Sequence, residues 1–324
     1  MRIRRERILL LVLLALTIAV WGMVWRDQTA GLTVTVLDVG QGDSILVQAP
    51  GGRTMLVDGG GRAGEQTRGY DVGREVVTPA LMARGVRSID VLVITHPHED
   101  HIGGLAAVLE AVPVKMVLDP MLPTDSETYT ALKEEISKRQ ISVHRATEGQ
   151  RINLGEGIYA DVLNPPDPRL SNTDAELNDN SVVLRLVDEQ LSVLLAGDVD
   201  RAGAERLAAM GERIQSTILK VPHHGSADPA ATGLVEAVKP EVAVISVGAR
   251  NPFGHPSQEM LGELKGVGAK VMRTDEQGAV TIRLRPPKWW VWGHLGWHGA
   301  KRYSGDATAE RSSTPSLRVV KEAV

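Results

Sequence analysis

The chain has 324 residues, enough for one large domain or two ordinary ones, and its 43% hydrophobic and 23% charged content excludes a disordered or fibrous protein. The formal net charge is -4, so the chain lacks the overall basic character on which non-specific nucleic-acid binding depends. Because it contains no cysteine, disulfides and thiolate metal sites are excluded, and any metal must be held by histidines and carboxylates.

The N-terminus has the charge pattern of a membrane-targeting segment. Residues 1–7 contain four arginines, and residues 8–25 contain eighteen uncharged and mostly apolar residues, just enough for a helix to span a bilayer. We expect an uncleaved signal anchor within residues 1–30, which would make the chain a single-pass membrane protein with an extracytoplasmic catalytic part. The alternative is a cleaved signal peptide and a secreted protein, although the small residues after Gln28 form a poor cleavage site.

From residue 32 the sequence predicts hairpin-like strands first, and then strands that alternate with helices. The predicted strands are 32–38, 44–48, 54–58, 89–95, 114–119, 141–146, 158–163, 181–187, 191–196, 216–221, 241–247, 269–272 and 279–284. The predicted helices are 75–84, 102–111, 126–139, 202–210, 230–238 and 257–265. This mixture predicts an α/β fold of sheets with helices outside. Residues 286–324, with four tryptophans, are predicted to form a weakly ordered tail that touches a membrane interface or a partner, or folds back on the domain.

The strongest chemical signal is a group of histidines and carboxylates directly after the apolar strand at 89–95. His96, His98, Asp100 and His101 lie within six residues at the carboxyl end of that strand, where α/β sheets place their ligand sites. His96 and His98 can point in one direction, since residues i and i+2 share a side of an extended chain, while Asp100 and His101 face a second position. Imidazole and carboxylate ligands together suit Zn, Mn or Fe, so a metal site is favoured over a set of solvated loop histidines.

The pattern H-x-H-x-D-H after a buried strand resembles the metallo-β-lactamase-fold hydrolases, and the resemblance extends over residues 32–285. The segments VGQGDS, THPHEDHIGG, NDNSVVLRL, LLAGD, KVPHHGS and VGARNPFGHPS resemble the C-terminal domain of ComEC-type DNA-uptake competence proteins. The resemblance implies a four-layer αββα sandwich over residues 31–285, in a free-standing or anchored version rather than a full competence channel.

The resemblance also implies two divalent metal ions, Zn or Mn, and assigns their ligands as His96, His98, Asp100, His101, Asp198 and His223. Asp198 would bridge the metals, and Asp58 corresponds to the structural aspartate of the fold. Many family members supply a further histidine before the bridging aspartate, and here Asn180 or Asp179 is expected to take its place as a weaker oxygen ligand.

Further roles are assigned on the same resemblance and on residue chemistry. Asp100 would position the attacking water, and Asp198 would orient it. His224 would lie behind the ligands or donate a proton, and His255 would act as a general acid, with an ordinary loop histidine as the alternative reading. The residues expected to contact substrate are Asn180, Ser226, Asn251 and Lys220, with Arg250 adding positive charge.

These features predict a dinuclear metal-dependent hydrolase that favours phosphodiester bonds of DNA or nucleotides and uses a hydroxide shared by the two metals. The expected partners are a phosphodiester or other small ester, with single-stranded DNA as a further candidate, and the membrane through the N-terminal helix. No obligate protein partner is predicted. The alternatives are a hydrolase of another ester, lactone, thioester or β-lactam bond, or a non-enzymatic membrane-tethered binding module.

Overall fold

Two β-sheets dominate the part of the chain that the structure describes. The computed structural model describes residues 10–22, 31–62, 70–230, 232–295 and 301–307, together with the backbone of residues 322–323. One sheet has nine strands and the other has eight.

The nine-stranded sheet carries the first half of the chain and its C-terminal strands, in the order β16-β15-β14-β1-β2-β3-β4-β5-β6. Strands β3 to β6 are parallel, and the other neighbours are antiparallel. The strands are β1 (Leu32–Val36), β2 (Ile45–Gln48), β3 (Thr54–Val57), β4 (Ile89–Val93), β5 (Val114–Asp119), β6 (Ser142–Arg145), β14 (Val280–Arg285), β15 (Lys288–Gly293) and β16 (Arg302–Asp306).

The eight-stranded sheet has the order β13-β12-β11-β10-β9-β8-β7-β17. Strands β10 to β13 are parallel, whereas β7 to β10 form antiparallel neighbours. The strands are β7 (Arg151–Gly155), β8 (Ile158–Asn164), β9 (Val183–Asp188), β10 (Leu191–Leu195), β11 (Ile218–Lys220), β12 (Val242–Ile245), β13 (Lys270–Arg273) and β17 (Glu322–Ala323).

The helices are mostly short and follow the parallel strands, as crossover connections require. They are α1 (10–22), α2 (Thr78–Ala83), α3 (Glu99–Ile102), α4 (Leu105–Ala111), α5 (Glu127–Lys138), α6 (Glu176–Asp179), α7 (Arg201–Ala208), α8 (Leu234–Val238), α9 (Gln258–Gly266) and α10 (Thr274–Gln277). A π-helical segment, Gly73–Val77, leads into α2, and 3-10 turns occupy Gly211–Ile214 and Pro222–Gly225.

Three apolar clusters define four layers. One cluster draws on both sheets, and the other two join one sheet each to its helices. Strand β4 shows how this follows from the sequence, because Val91 and Val93 enter the cluster between the sheets while Leu92 enters the cluster beneath the helices. A strand that is buried on both faces needs a continuous apolar run, which here is residues 91–94. The predicted layered α/β architecture is confirmed.

Two predictions outside this core have different outcomes. Residues 288–293 and 302–306 are not weakly ordered as predicted; they fold back on the domain, which was one of the alternatives, because β15 and β16 extend the nine-stranded sheet and Trp289 is buried in the cluster between the sheets. Helix α1 lies inside the predicted anchor, and the ends of that segment lie outside the described residues. Within the described ranges, no helix combines the length and the apolar character needed to cross a bilayer.

Candidate functional site

The polar side chains singled out in the sequence lie where strands of both sheets end. Asp58 directly follows β3, and the segment 96–101 follows β4, the parallel neighbour of β3. Asp198 follows β10, and His224 follows β11, which is parallel to β10. Because the carboxyl ends of parallel strands share one edge of a sheet, each sheet delivers its polar groups to one place.

Four of these side chains converge on a single point. Nε2 of His101 lies 3.0 Å from Oδ2 of Asp198, and Nε2 of His224 lies 3.2 Å from the same oxygen. Oδ2 of Asp100 lies 3.3 Å from Nε2 of His224. One ligand atom from each of the four residues lies within 4.8 Å of the others. We call Asp100, His101, Asp198 and His224 the four-residue cluster.

The two histidines of the cluster are oriented through their second ring nitrogen. Nδ1 of His101 lies 2.7 Å from Oδ2 of Asp58, and Nδ1 of His224 lies 3.0 Å from the backbone oxygen of Ser246. Since both partners can only accept, each Nδ1 carries the hydrogen and each Nε2 is directed at Asp198. A carboxylate or carbonyl behind an imidazole is the usual support of a metal-binding histidine.

Asp58, which supports His101, is itself held by two hydrogen bonds from Thr95. The backbone N–H of Thr95 donates to Oδ1 at 2.8 Å, and the Thr95 hydroxyl donates to Oδ2 at 2.6 Å. Asp58 is fully buried and has a φ of 60°, a left-handed conformation that aspartate tolerates better than most residues. Burial raises the pKa of its carboxyl, against the opposing effect of His101.

The cluster concentrates negative charge that requires a positive counterpart. Although burial opposes it, Asp198 and Asp100 raise the pKa of His101 well above its ordinary value. Burial also lowers the pKa of His224, but Asp198 and Asp100 outweigh it and raise the pKa to about 10. The two imidazoles in turn hold the pKa of Asp198 well below its usual range, against burial. Protons on the histidines or cations between the side chains would satisfy the same carboxylates.

His96 lies beside the cluster and is available as a ligand. Its ring centroid is 4.1 Å from that of His101 and 4.7 Å from that of His98, which is exposed. His96 is fully buried, and among the described residues its Nε2 has no hydrogen-bond partner. Burial, with a contribution from His101, lowers the pKa of His96 well below its usual value, so the ring is neutral and keeps a lone pair.

A buried ion pair that sequence reasoning missed lies behind Asp198. Nζ of Lys220 contacts Oδ2 of Asp43, and it lies 3.6 Å from Oδ1 of Asp198. All three side chains are buried. Lys220 therefore neutralises carboxylates from behind the cluster, and the predicted substrate contact does not fit its burial. The signal for Asp43 was the VGQGDS segment, which we used only for the family resemblance.

Residues 37–249 match the sequence profile of the metallo-beta-lactamase superfamily. The chain belongs to this superfamily. The resemblance inferred from the H-x-H-x-D-H pattern is thereby confirmed, and the layered fold is the one expected of a metallo-beta-lactamase domain.

The relatives of this metallo-beta-lactamase domain include a competence protein and a ribonuclease. It is similar to "ComE operon protein 3" of Bacillus subtilis (strain 168), with 30% identity over 266 residues that cover 78% of this chain and 33% of that protein. The "Competence protein ComA" of Neisseria gonorrhoeae is 32% identical over 252 residues, covering 78% of this chain and 32% of that protein. "Ribonuclease Z" of Aeropyrum pernix is 33% identical over 129 residues, covering 40% of this chain and 37% of that protein. The chain thus spans about a third of the length of these relatives.

His223 and His224 lie in the reverse of the arrangement that we expected for them. We expected His223 among the metal ligands and His224 behind them, but His224 belongs to the cluster and His223 does not. Nδ1 of His223 instead lies 3.3 Å from Oδ2 of Asp200. The cause is the backbone, since both histidines have left-handed φ values, 46° and 53°, which turn the second ring inward.

The residues proposed to replace a missing ligand are engaged elsewhere. The Asn180 amide donates to the backbone oxygens of Leu170 and Glu176 and accepts from the backbone N–H of Leu170. Oδ1 of Asp179 accepts from the backbone N–H of Gly203 at 2.8 Å. Asn180 therefore closes the loop before β9, a position that does not fit the predicted ligand or substrate contact.

The remaining predicted residues lie in the loops after β11 and β12. Asn251 holds the backbone of His255 through two hydrogen bonds, and the ring of His255 lies 5.6 Å from that of His223. Burial, with His223 and His224, lowers the pKa of His255 to about 4, so near neutral pH its ring is unprotonated and lacks the proton that the predicted general acid would donate. Ser226 is buried, and its hydroxyl accepts from the backbone N–H of Asp228. Arg250 is exposed.

Proposed function

We propose that this metallo-beta-lactamase domain is a metal-dependent hydrolase of phosphodiester bonds. The observation that carries the proposal is the convergence of Asp100, His101, Asp198 and His224, whose ligand atoms lie within 4.8 Å of one another. Both histidines of the cluster are already oriented for metal binding, because each Nδ1 is hydrogen-bonded to an acceptor and each Nε2 is directed at Asp198. The buried Nε2 of His96 has no hydrogen-bond partner among the described residues. An unpartnered buried ligand atom fits a divalent cation.

One cation would be held by Asp100, His101, Asp198 and His224. A second would be held by His96 and His98, whose rings lie beside that of His101. All of these ligands are imidazoles and carboxylates, a set that suits Zn or Mn. The second cation has fewer protein ligands, so we expect it to be held more weakly.

Residues around the cluster orient its histidines and neutralise its carboxylates. Asp58 fixes the ring of His101, and Lys220 balances the charge of Asp198 from behind. The half-buried carboxylate of Asp100 is the most accessible of the cluster and can accept a hydrogen bond from an attacking water. Cations at this position would lower the pKa of that water and neutralise charge on the phosphodiester oxygens.

The choice of phosphodiester substrates is supported by the names of the relatives. One is named a ribonuclease, and another is named a competence protein. We further propose that residues 1–30 hold the domain at the outer face of a membrane, a proposal supported by the arginines and the apolar run in that segment.

The proposal is tested on the purified full chain by measuring metal content and turnover. The substrates are bis-p-nitrophenyl phosphate, single-stranded DNA, a lactone and nitrocefin, each assayed with added Zn or Mn. We expect tightly held metal, with turnover of the first two substrates. Metal-independent turnover, or turnover of only the lactone or nitrocefin, would overturn the proposal.

The neighbouring histidines provide a matched pair of variants. His224→Ala removes a cluster residue and should reduce metal affinity and phosphodiester turnover by more than about a hundredfold, since even the partners behind a ligand cost 10–100-fold. His223→Ala removes an adjacent ring outside the cluster and should retain the metal. Equal metal loss in both variants would contradict the assignment of His224.

A further inference from the structure

The C-terminal strands carry a surface that the hydrolytic site does not use. Along β14, Ile282 and Leu284 enter the cluster between the sheets, so Arg283 faces outward. Along β15, Trp289 and Val291 face inward, and Trp290 and Trp292 therefore lie on the outer face. Strand pairing places Arg283 opposite Trp290.

Two adjoining clefts open on this outer face. One has a volume of about 500 Å³ and runs from the start of β1 and the β2–β3 hairpin to β15. The other has a volume of about 470 Å³ and lies across β14, β15 and β16. Arg283 and Trp292 line both clefts, so the two form one groove.

The groove is basic although the whole chain is acidic. Its lining includes Arg53, Arg84, Arg283 and Arg302, and none of the described residues that line it is acidic. The chain carries a net charge of -4, so this concentration of guanidinium groups is a local feature. A groove of this kind attracts a polyanion and recognises phosphate oxygens through guanidinium hydrogen bonds.

The aromatic side chains of the groove add a second kind of recognition. Trp290 and Trp292 are half-buried and lie about 7 Å apart along one strand, on the same side. The guanidinium of Arg283 lies 5.6 Å from the ring centroid of Trp292. Indole faces beside arginines provide stacking surfaces for unpaired bases, which a duplex keeps inside its stack.

We propose that this groove binds single-stranded nucleic acid, with the arginines on the phosphates and the tryptophans stacked on bases. The groove is separate from the four-residue cluster, because Thr54 at the start of β3 lines the groove while Asp58 lies beyond the other end of that strand. Binding here goes beyond the proposed hydrolysis and requires no metal.

The test measures binding without hydrolysis. The full chain is titrated in EDTA with a fluorescein-labelled thymidine oligonucleotide about 15 nucleotides long, a length within the range of single-strand sites. Anisotropy reports binding, and quenching of tryptophan fluorescence reports stacking. We expect binding that weakens with salt, and weaker binding of the matching duplex. The absence of binding in EDTA would overturn this proposal and leave the hydrolase proposal standing.

Variants separate stacking from charge. Trp292→Ala should weaken binding about tenfold and reduce quenching, whereas Trp292→Phe should retain most of the affinity. Arg283→Ala and Arg302→Ala should each reduce the slope of log affinity against log salt by about 0.7. Arg139→Ala, an exposed arginine after α5, is the matched control and should change nothing.

Two further outcomes would contradict the proposal. Unchanged affinity and salt dependence in Arg283→Ala and Arg302→Ala would exclude the groove as the binding site. Stronger binding to vesicles of anionic lipid than to the oligonucleotide, lost in the same variants, would identify a membrane surface instead. If Trp292→Ala lowers the melting temperature, Arg302→Ala on the exposed edge strand β16 carries the test, because its side chain lies outside the core.

Discussion

Asp58→Asn should weaken metal binding while leaving the fold intact. Asparagine has the size of aspartate and tolerates the left-handed φ of 60° at this position. Its amide oxygen can still accept from the Thr95 N–H, but an NH₂ group replaces the oxygen that now accepts from His101. The His101 ring must then present a lone pair at Nδ1 and carry its hydrogen at Nε2, which faces Asp198. That tautomer cannot bind a cation through Nε2.

The size of the effect follows from the loss of a buried, charge-assisted hydrogen bond behind a ligand. Such losses reduce metal affinity by about 10–100-fold, which corresponds to about 1.4–2.7 kcal/mol. Competition with a chelator of known affinity measures the change for Zn and for Mn. Asp119→Asn is the matched control, because this buried carboxylate accepts from the hydroxyl of Tyr129 outside the cluster. Unchanged metal affinity in Asp58→Asn, or an equal loss in both variants, would refute the reasoning.

Two further predictions test the fold. Burial raises the pKa of Asp188 to about 6, above its ordinary 3.8, so its contribution to stability is full below about pH 4 and is lost as the pH rises through about 6. Asp188→Asn should therefore raise the melting temperature above about pH 7 and leave it unchanged below about pH 4; an equal shift at both would contradict the assignment. Trp289→Ala should reduce the free energy of unfolding in urea by about 3–5 kcal/mol, since the ring is 1% exposed. Unchanged stability would mean that β15 is dispensable.

Local pattern predicted the central strands because their environment is encoded in consecutive residues. Residues 91–94 are apolar throughout, and the structure buries them on both faces of the sheet. The histidine and carboxylate segment after this run could be predicted for the same reason, since the end of a buried strand determines where the following residues lie.

Contacts between distant parts of the chain could not be predicted. Lys220 can be buried because it pairs with Asp43, which is 177 residues away along the chain. Without that partner, a lysine at the end of a strand is expected at the surface. The tail prediction failed for a related reason. In KWWVWG the inward and outward positions are both apolar, so the alternation that identifies a strand is hidden until β14 provides a partner.

The adjacent histidines show how backbone conformation decides between neighbours. An extended chain would place His223 and His224 on opposite sides, and either could be the one directed inward. The structure gives both a left-handed conformation, followed by Gly225 with a φ of 83°. Such a conformation costs about 1–2 kcal/mol for each non-glycine residue, and strain of this kind tends to be kept at functional sites. It directs the ring of His224 into the cluster and leaves His223 beside Asp200, so which of the two histidines enters the cluster depends on backbone strain that residue type and spacing do not reveal.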